Sequence, residues 1–137
     1  NYLDDYEFGD WSPTFFMQGD SAIDTDGTCL YQKIGSTVHI WGVLRFEDTS
    51  YNPGSTNYLR LSNFPFVPST YSGNISSGVG TAVVRYTESG DHVAFILDIG
   101  TTTGYIFNSQ TGAGSSGGAY VDAGSRIHFH ATYYTTS

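Results

Sequence analysis

Apolar and polar residues alternate with a period of two along most of this chain. In residues 126–134, for example, Ile127 and Phe129 fall on one face of an extended strand, whereas His128 and His130 fall on the other. No stretch of a dozen residues keeps apolar side chains at the i, i+3, i+4, i+7 spacing of an amphipathic helix. The pattern therefore predicts an all-β chain with strands at Thr14–Met17, Cys29–Ile34, Thr37–Phe46, Tyr58–Ser62, Thr81–Thr87, His92–Ile99, Thr103–Asn108 and Arg126–Tyr134.

Two short turns predict antiparallel hairpins. Gly35 and Ser36 join the stretches CLYQKI and TVHIWGVLRF, and residues 88–91 join TAVVRYT to HVAFILDI. Both turns contain a glycine, which can adopt the positive φ that tight turns need. Longer polar segments at 47–57, 68–80 and 109–119 lie between other strands. This organisation is typical of an antiparallel β-sandwich, jelly-roll-like, and the length of 137 residues predicts a single domain over residues 1–137.

Two of the predicted strands are apolar on both faces, although a sandwich strand should alternate. The run VAFIL, from Val93 to Leu97, contains no polar residue, and Trp41 and Val43 lie on the face opposite Ile40. Such second faces need cover. We expect a neighbouring subunit to supply it, and a long loop of the same chain is the alternative. The candidate subunit-interface residues are Trp41, Val43, Val93, Phe95 and Leu97.

The charge balance excludes several classes of partner. Thirteen acidic residues against five basic ones give a net charge of −8, with no Lys/Arg run that could neutralise a series of phosphates. Nucleic acid is therefore not expected as a partner. The same negative field repels anionic membranes and strongly anionic polysaccharides, so neutral or zwitterionic partners are favoured.

Three further features limit where the chain can act. Its single cysteine, Cys29, cannot form an internal disulfide and is expected to be an inert thiol buried on a strand. No run approaches the roughly 18 apolar residues of a spanning helix, so membrane insertion is not expected. The sequence begins at Asn1 without a signal-peptide pattern, which leads us to expect a piece of a longer protein.

Four stretches together resemble a known domain. YEFGDWSPTFF, from Tyr6 to Phe16, is similar to the Y-E-x-G-x-W-[ST]-P opening of a C-terminal domain found in many bacteriophage tail fibres and tailspikes. Further along, GTCLYQKIGSTVHIWG resembles its G-x-Y-x-K-I-G-x-x-V segment, and LSNFPF resembles its L-x-G-[LF]-P-F segment. The chain also closes on an aromatic strand with Tyr133 and Tyr134. The resemblance covers most of the length.

This resemblance implies a homotrimeric β-sandwich at the distal tip of a viral fibre. Residues 1–13 would be the lead-in segment from the shaft, with Trp11 and Pro13 in structural roles. The domain would serve in trimerisation and in binding a host cell-surface glycan or other surface receptor, without a cofactor. It would be made in the host cytoplasm, become part of the virion, and act outside the cell during host attachment.

His128 and His130 raise the question of a metal site. Residues two apart on a strand lie about 6.6–7 Å apart on one face, so their rings can converge on one ion. Within one chain further ligands are missing, because Ala131 and Thr132 follow where a metal-binding jelly roll has a glutamate. Three copies around an axis could supply six nitrogens. We nevertheless predict no metal, and expect both histidines to be polar residues facing solvent or a subunit interface.

Catalytic patterns are weak. No serine lies in a G-x-S-x-G elbow, and a glycosidase would need two carboxyl groups placed across a cleft, about 5–9.5 Å apart, which the sequence cannot establish. The Asp24-Thr-Asp-Gly27 stretch has only half of a calcium loop and is expected to be a turn. We therefore predict that the domain is not an enzyme.

Recognition is the function that the loops favour. Sugar rings stack on aromatic side chains and pair with short amides, and SYNPGSTNY and STYSGN combine both. The alternative is that these tyrosines only cap the ends of the sandwich. The expected function is a receptor-binding fibre tip, with a purely structural trimerisation or folding domain as the alternative and a polysaccharide-degrading enzyme third. The candidate saccharide contacts are Tyr51, Asn52, Asn57, Tyr58, Tyr71 and Asn74.

Overall fold

Ten β-strands make up most of the chain that the structure describes. The computed structural model describes residues 5–17, 22–47, 59–70, 76–86, 90, 92–108 and 124–136. The all-β prediction is confirmed. In chain order the strands are β1 (Tyr6–Trp11), β2 (Thr14–Met17), β3 (Ala22–Ile23), β4 (Thr25–Ile34), β5 (Thr37–Phe46), β6 (Leu59–Ser62), β7 (Gly78–Arg85), β8 (His92–Ile99), β9 (Gly104–Asn108) and β10 (Arg126–Tyr134).

All eight predicted strands form, and the two that the sequence pattern missed are β1 and β3. Strand β1 reads YEFGDW, in which a glycine and acidic residues hide the alternation, and it forms because it pairs along its whole length with β4. Strand β3 has only two residues, too few to show any period. Tertiary pairing therefore decides both elements.

The strands form one continuous antiparallel sheet in the order β1-β4-β5-β10-β7-β8-β9-β6-β2-β3. Both predicted hairpins are confirmed, since β4 pairs with β5 from Ile34 opposite Thr37, and β7 pairs with β8 from Arg85 opposite His92. The prediction that the sandwich has two separate sheets is wrong, because the described strands form one sheet. Strand β8 pairs with both β7 and β9, so the two halves are joined by backbone hydrogen bonds.

Short connections make this sheet curl into a half-barrel. Only Ser12 and Pro13 separate β1 from β2, and only Asp24 separates β3 from β4, although these strands lie near opposite ends of the sheet order. The two ends must therefore approach each other. Phe15 on β2 shows the result, because its ring contacts the rings of Phe46 and Phe129 at centroid distances of 5.6 and 6.2 Å.

The concave inner face of the sheet holds the core. Val38, Ile40, Leu97 and Ile127 have no exposed surface, and each such side chain contributes about 1.5–3 kcal/mol by burial. Trp11 belongs to the same core, where its indole Nε1 donates a hydrogen bond to the Leu30 carbonyl at 3.1 Å. Its placement agrees with a structural role for this end of the lead-in segment.

Cys29 is buried in this core, as the sequence predicted. Its side chain lies against Gly42 of the neighbouring strand β5, where a Cβ atom would overlap the sulfur. Burial raises the pKa of the thiol to about 12, so the sulfur stays protonated and unreactive at neutral pH. No helix among the described residues is long and apolar enough to cross a membrane.

Candidate functional site on the outer face of the sheet

The convex side of the sheet, here called the outer face, carries the side chains that alternate with the core residues. Directly paired residues in an antiparallel sheet point to the same side. The register therefore defines rows of side chains that run across the strands. The central row contains Leu30, Trp41, His130, Thr81 and Ile96, on β4, β5, β10, β7 and β8 respectively.

Large apolar side chains are exposed on this face. The described residues include six large apolar side chains classed as exposed, and only Val67 lies outside the outer face, in the loop after β6. A scattered exposed apolar residue is ordinary, but several on one sheet face form a candidate binding surface. The five on the outer face are Tyr6, Phe8, Ile34, Val43 and Val79, between 44% and 62% exposed.

Aromatic rings from three strands, β1, β5 and β10, lie next to one another on this face. The ring of Phe8 lies 6.2 Å from that of Trp41, which lies 5.1 Å from the imidazole of His39. The imidazole of His130 follows at 6.3 Å from His39. We call these four residues the aromatic band. Neighbouring rings of this kind combine apolar area with polar groups, a surface that suits another protein or a sugar ring.

His39 is the most constrained member of the aromatic band. Its Nδ1 lies 2.9 Å from the hydroxyl oxygen of Thr132, within hydrogen-bond distance. Burial, together with repulsion from His130, lowers the pKa of His39 below its ordinary value of 6.5. The imidazole is therefore neutral at pH 7, and the aromatic band carries no charge from this residue.

A shallow depression of about 290 Å³ lies beside the aromatic band. Its lining combines apolar, hydroxyl and imidazole groups, together with the backbone of Gly42. The depression is open, so it suits a protruding side chain or the edge of a sugar better than an enclosed small molecule. It is lined by Trp41, Gly42, Val43, Thr81, Val83, His128, Phe129 and His130.

The structure separates the five predicted interface residues into two groups. Trp41 and Val43 lie on the outer face, as the alternation predicted. Phe95 and Leu97 are buried in the core, and Val93 packs against that core. The odd-numbered residues of β8 face inward, so the curl of a single chain covers them and no second chain is needed. Assigning Phe95 and Leu97 to a subunit interface is therefore wrong.

The outer face of β8 instead carries Ala94 and Ile96, with Ala94 exposed and Ile96 partly buried. The sequence pattern could not decide which of two apolar faces points inward. The predicted saccharide contacts Tyr51, Asn52, Asn57, Tyr58, Tyr71 and Asn74 all lie outside the described residues.

His128 and His130 share the outer face, as the period of two predicted, and both are exposed. Among the described residues, no group of three or more His, Cys, Asp and Glu side chains is close enough to hold a metal ion. Both imidazoles are part of the outer face.

Sequence reasoning missed a row of arginines at one end of the outer face. Arg126 on β10 lies directly opposite Arg45 on β5 and directly opposite Arg85 on β7. The three are far apart in sequence, and only the register of β10 between β5 and β7 brings them together. The one available signal is that each arginine lies near a strand end, next to a predicted loop or turn.

No family model, curated protein or solved structure matches this chain.

Proposed function

We propose that this domain is the homotrimeric tip of a bacteriophage tail fibre or tailspike, and that it binds a host cell-surface saccharide. The proposal combines the resemblance of residues 6–16, 27–42 and 61–66 to such domains with the surface chemistry of the outer face. The resemblance supplies the biological setting. The outer face supplies the physical reason for assembly.

The absence of charge in the middle of the outer face carries the proposal. From β4 to β8, the central row contains Leu30, Trp41, His130, Thr81 and Ile96, none of which is Asp, Glu, Lys or Arg. The next row contains Thr28, Val43, His128, Val83 and Ala94, and it also has no such residue. Among the described residues, charged side chains lie on the rows beyond and at the β1 end of the central row, where Asp10 is opposite Leu30.

This distribution is typical of a protein–protein interface. Charged residues are depleted in the core of an interface and retained at its rim, and aromatic residues are enriched in the core. The aromatic band and Val43 fit the core, whereas Asp26 and Arg45 would lie at the rim. A surface of this kind on three copies would be buried by mutual packing around an axis.

Saccharide binding is assigned to the loops. Residues 50–58 and 69–74 combine tyrosines with asparagines, the residue types that stack on sugar rings and pair with their hydroxyls. A trimer would present three copies of each loop to one cell surface. Three weak sites on one rigid tip raise the apparent affinity by orders of magnitude over a single site.

Two valine substitutions test the link between assembly and binding. Val43→Glu places a carboxylate in the uncharged part of the outer face, at a position 44% exposed in the single chain, so the fold should tolerate it. Val67→Glu makes the same change at a position 67% exposed and off the outer face, and serves as the matched control. We expect Val43→Glu to abolish the trimer and weaken binding to bacterial cells about 100-fold or more, while Val67→Glu changes neither.

Equal cell binding by the Val43→Glu and Val67→Glu variants would contradict the proposal that the outer face assembles the binding unit.

A purely structural trimerisation domain is the second candidate, because the outer face would explain assembly without any loop. An array of bacterial surface saccharides, probed with the trimer, separates the two. Specific binding supports the receptor-binding tip, and a trimer that binds neither cells nor saccharides supports the structural domain.

A further inference from the structure

Three of the five basic residues in the chain lie side by side at one end of the outer face. Arg126 is flanked by Arg45 on one side and Arg85 on the other, and each pair is directly opposite in the register. Directly opposite residues have Cβ atoms about 4.5–5.5 Å apart. We call Arg45, Arg126 and Arg85 the arginine row.

Such a row is unfavourable for the fold alone. Like charges directly opposite each other in a sheet repel and lower stability. Only one acidic side chain compensates among the described residues, since Asp26 lies opposite Arg45, with its carboxylate 3.6 Å from that guanidinium. Arg85 and Arg126 make no ion pair within the described part of the chain. Among the described residues, the row thus brings together three positive charges and one negative charge, in a chain whose net charge is −8.

The arginine row is also open to ligands. The side chains of Arg45 and Asp26 are 51% and 63% exposed, and Arg85 and Arg126 are exposed as well. Two adjoining clefts, of about 400 and 410 Å³, are both lined by Arg45 and Arg126.

The second of these clefts also includes Arg85, together with Gly90 and Gly124. Both glycines have positive φ, at 74° and 83°, and neither has a side chain to limit the approach of a ligand. All three members of the arginine row therefore line one cleft.

We propose that the arginine row binds one oxyanion group, a carboxylate, sulfate or phosphate, carried by an acidic saccharide or present as a free ion. Guanidinium groups present paired N–H donors in a planar fork that matches such groups in a bidentate manner. Long polyanions such as nucleic acids are disfavoured because the rest of the chain is acidic. The inference that the oxyanion belongs to a saccharide rests on the proposed function, whereas binding of a free ion does not.

This site concerns saccharides with one acidic group, which the expected repulsion of strongly anionic polysaccharides does not cover. The net charge of −8 describes the whole chain, but Arg85 and Arg126 make no ion pair among the described residues, and salt screens charges beyond about 10 Å at 0.1 M ionic strength. A saccharide with a single acidic group can therefore bind here although a polyanion is repelled.

Titration of the full chain, followed by backbone amide chemical shifts at constant ionic strength, tests the site. The probes are sodium sulfate, 3′-sialyllactose, 3′-sulfolactose and neutral lactose. We expect sulfate and both acidic saccharides to shift the amides of residues 45, 85 and 126, and lactose to leave them unchanged. If sulfate alone shifted these amides, the site would bind a free ion. The claim that an acidic saccharide carries the oxyanion would then be overturned. No shift from any anionic probe would overturn the site itself.

Three charge variants assign any binding to the arginine row. Arg126→Gln should weaken binding at least about tenfold, because charge-assisted hydrogen bonds are lost. Asp26→Asn should strengthen it about two- to fivefold, because the competing carboxylate is removed. Lys33→Gln loses the same charge as Arg126→Gln but lies on the core side of β4, close to the Phe66 ring, and should leave binding unchanged.

If Lys33→Gln weakened anion binding as much as Arg126→Gln does, the binding would depend only on the net charge of the chain. That result would overturn the proposal. The gain with Asp26→Asn cannot arise from a damaged fold, so it separates specific binding from misfolding. A chain that proves monomeric yet binds the acidic saccharides through Arg126 would contradict the trimeric tip and leave the arginine row supported.

Discussion

The ring of Phe8 on β1 lies 6.2 Å from the indole ring of Trp41 on β5, and the whole of strand β4 lies between their backbones. Both rings are on the outer face, away from the core, and Phe8 remains 53% exposed. An aromatic pair of this kind gains little by burial in a single chain. It becomes stabilising when a second surface covers it, which is the role that we propose for a neighbouring copy.

The curl of the sheet depends on Phe15, which brings β2 against β5 and β10. This side chain is 1% exposed, and its ring contacts those of Phe46 and Phe129. Phe15→Ala should lower the free energy of unfolding by about 3–5 kcal/mol, because it leaves a cavity between the two ends of the sheet. Urea denaturation at equal protein concentration measures this change. Val67→Ala, at an exposed position, is the control and should stay within about 0.5 kcal/mol. If Phe15→Ala lowered the free energy of unfolding by less than about 1 kcal/mol, the claim that Phe15 packs the two ends of the sheet together would be contradicted.

The Tyr133 hydroxyl holds the loop after β6 against the sheet. It donates a hydrogen bond to the Phe66 carbonyl at 2.9 Å and accepts one from the Phe66 amide at 3.3 Å. Tyr133→Phe should cost about 1–3 kcal/mol of unfolding free energy, because two backbone groups lose their partner. Tyr6→Phe is the matched control, since its exposed hydroxyl accepts a hydrogen bond from the Gln32 side-chain amide at 3.3 Å, and the loss of this bond should cost less than about 0.5 kcal/mol. Equal costs in thermal or urea unfolding would show that the loop is not held in this way.

Acid should destabilise the outer face through His39. Folding lowers the pKa of this imidazole below 6.5, mainly by burial and further by His130, so the unfolded chain binds the proton first as the pH falls. The stabilisation is complete above pH 6.5 and decreases as the pH falls towards the lowered pKa. The groups facing His39 are Thr132, Trp41 and His130, with Gln32 opposite it on β4.

Urea midpoints at pH 7.5 and pH 5.5 measure this effect. The wild-type chain should lose more stability between the two pH values than His39→Gln. His92→Gln, a variant of an exposed histidine at the far end of β8, is the control and should behave like the wild type. If the urea midpoints of the wild type and His39→Gln changed equally with pH, His39 would not be the cause of the loss of stability in acid.

The loop tyrosines should contribute to binding and little to folding. Tyr51→Ala and Tyr71→Ala are each expected to weaken saccharide or cell binding about tenfold, the loss expected when an aromatic stacking contact is removed. Their melting temperatures should change by less than a few degrees. Binding to bacterial cells and differential scanning fluorimetry give the two readouts. If binding survives both substitutions, the saccharide site lies elsewhere.

Local sequence patterns were enough to predict eight of the ten described strands and both hairpins. Alternation of apolar residues identified β10 and β5 with the observed bounds, because each buries one face against the core. It failed for β1, where the strand forms through pairing with β4 rather than through its own apolar pattern. It also failed for β8, whose two apolar faces are equivalent until the curl of the sheet assigns Phe95 and Leu97 to the core.

The functional surfaces depend on long-range register, which a single sequence does not reveal. Arg45, Arg85 and Arg126 become neighbours only because β10 lies between β5 and β7. The single curled sheet likewise follows from β8 pairing on both of its edges. Non-local pairing of this kind leaves no periodic signal in the sequence, so the sequence pattern does not predict it.

The molecular mass of the chain in solution tests the trimeric fibre tip most directly. Sedimentation equilibrium from about 1 to 50 µM should give three times the 14.9 kDa mass of one chain for the wild type, and the single-chain mass for Val43→Glu. A wild-type mass of 14.9 kDa throughout that range would contradict the account, because the uncharged middle of the outer face would then be stable in water without a neighbour.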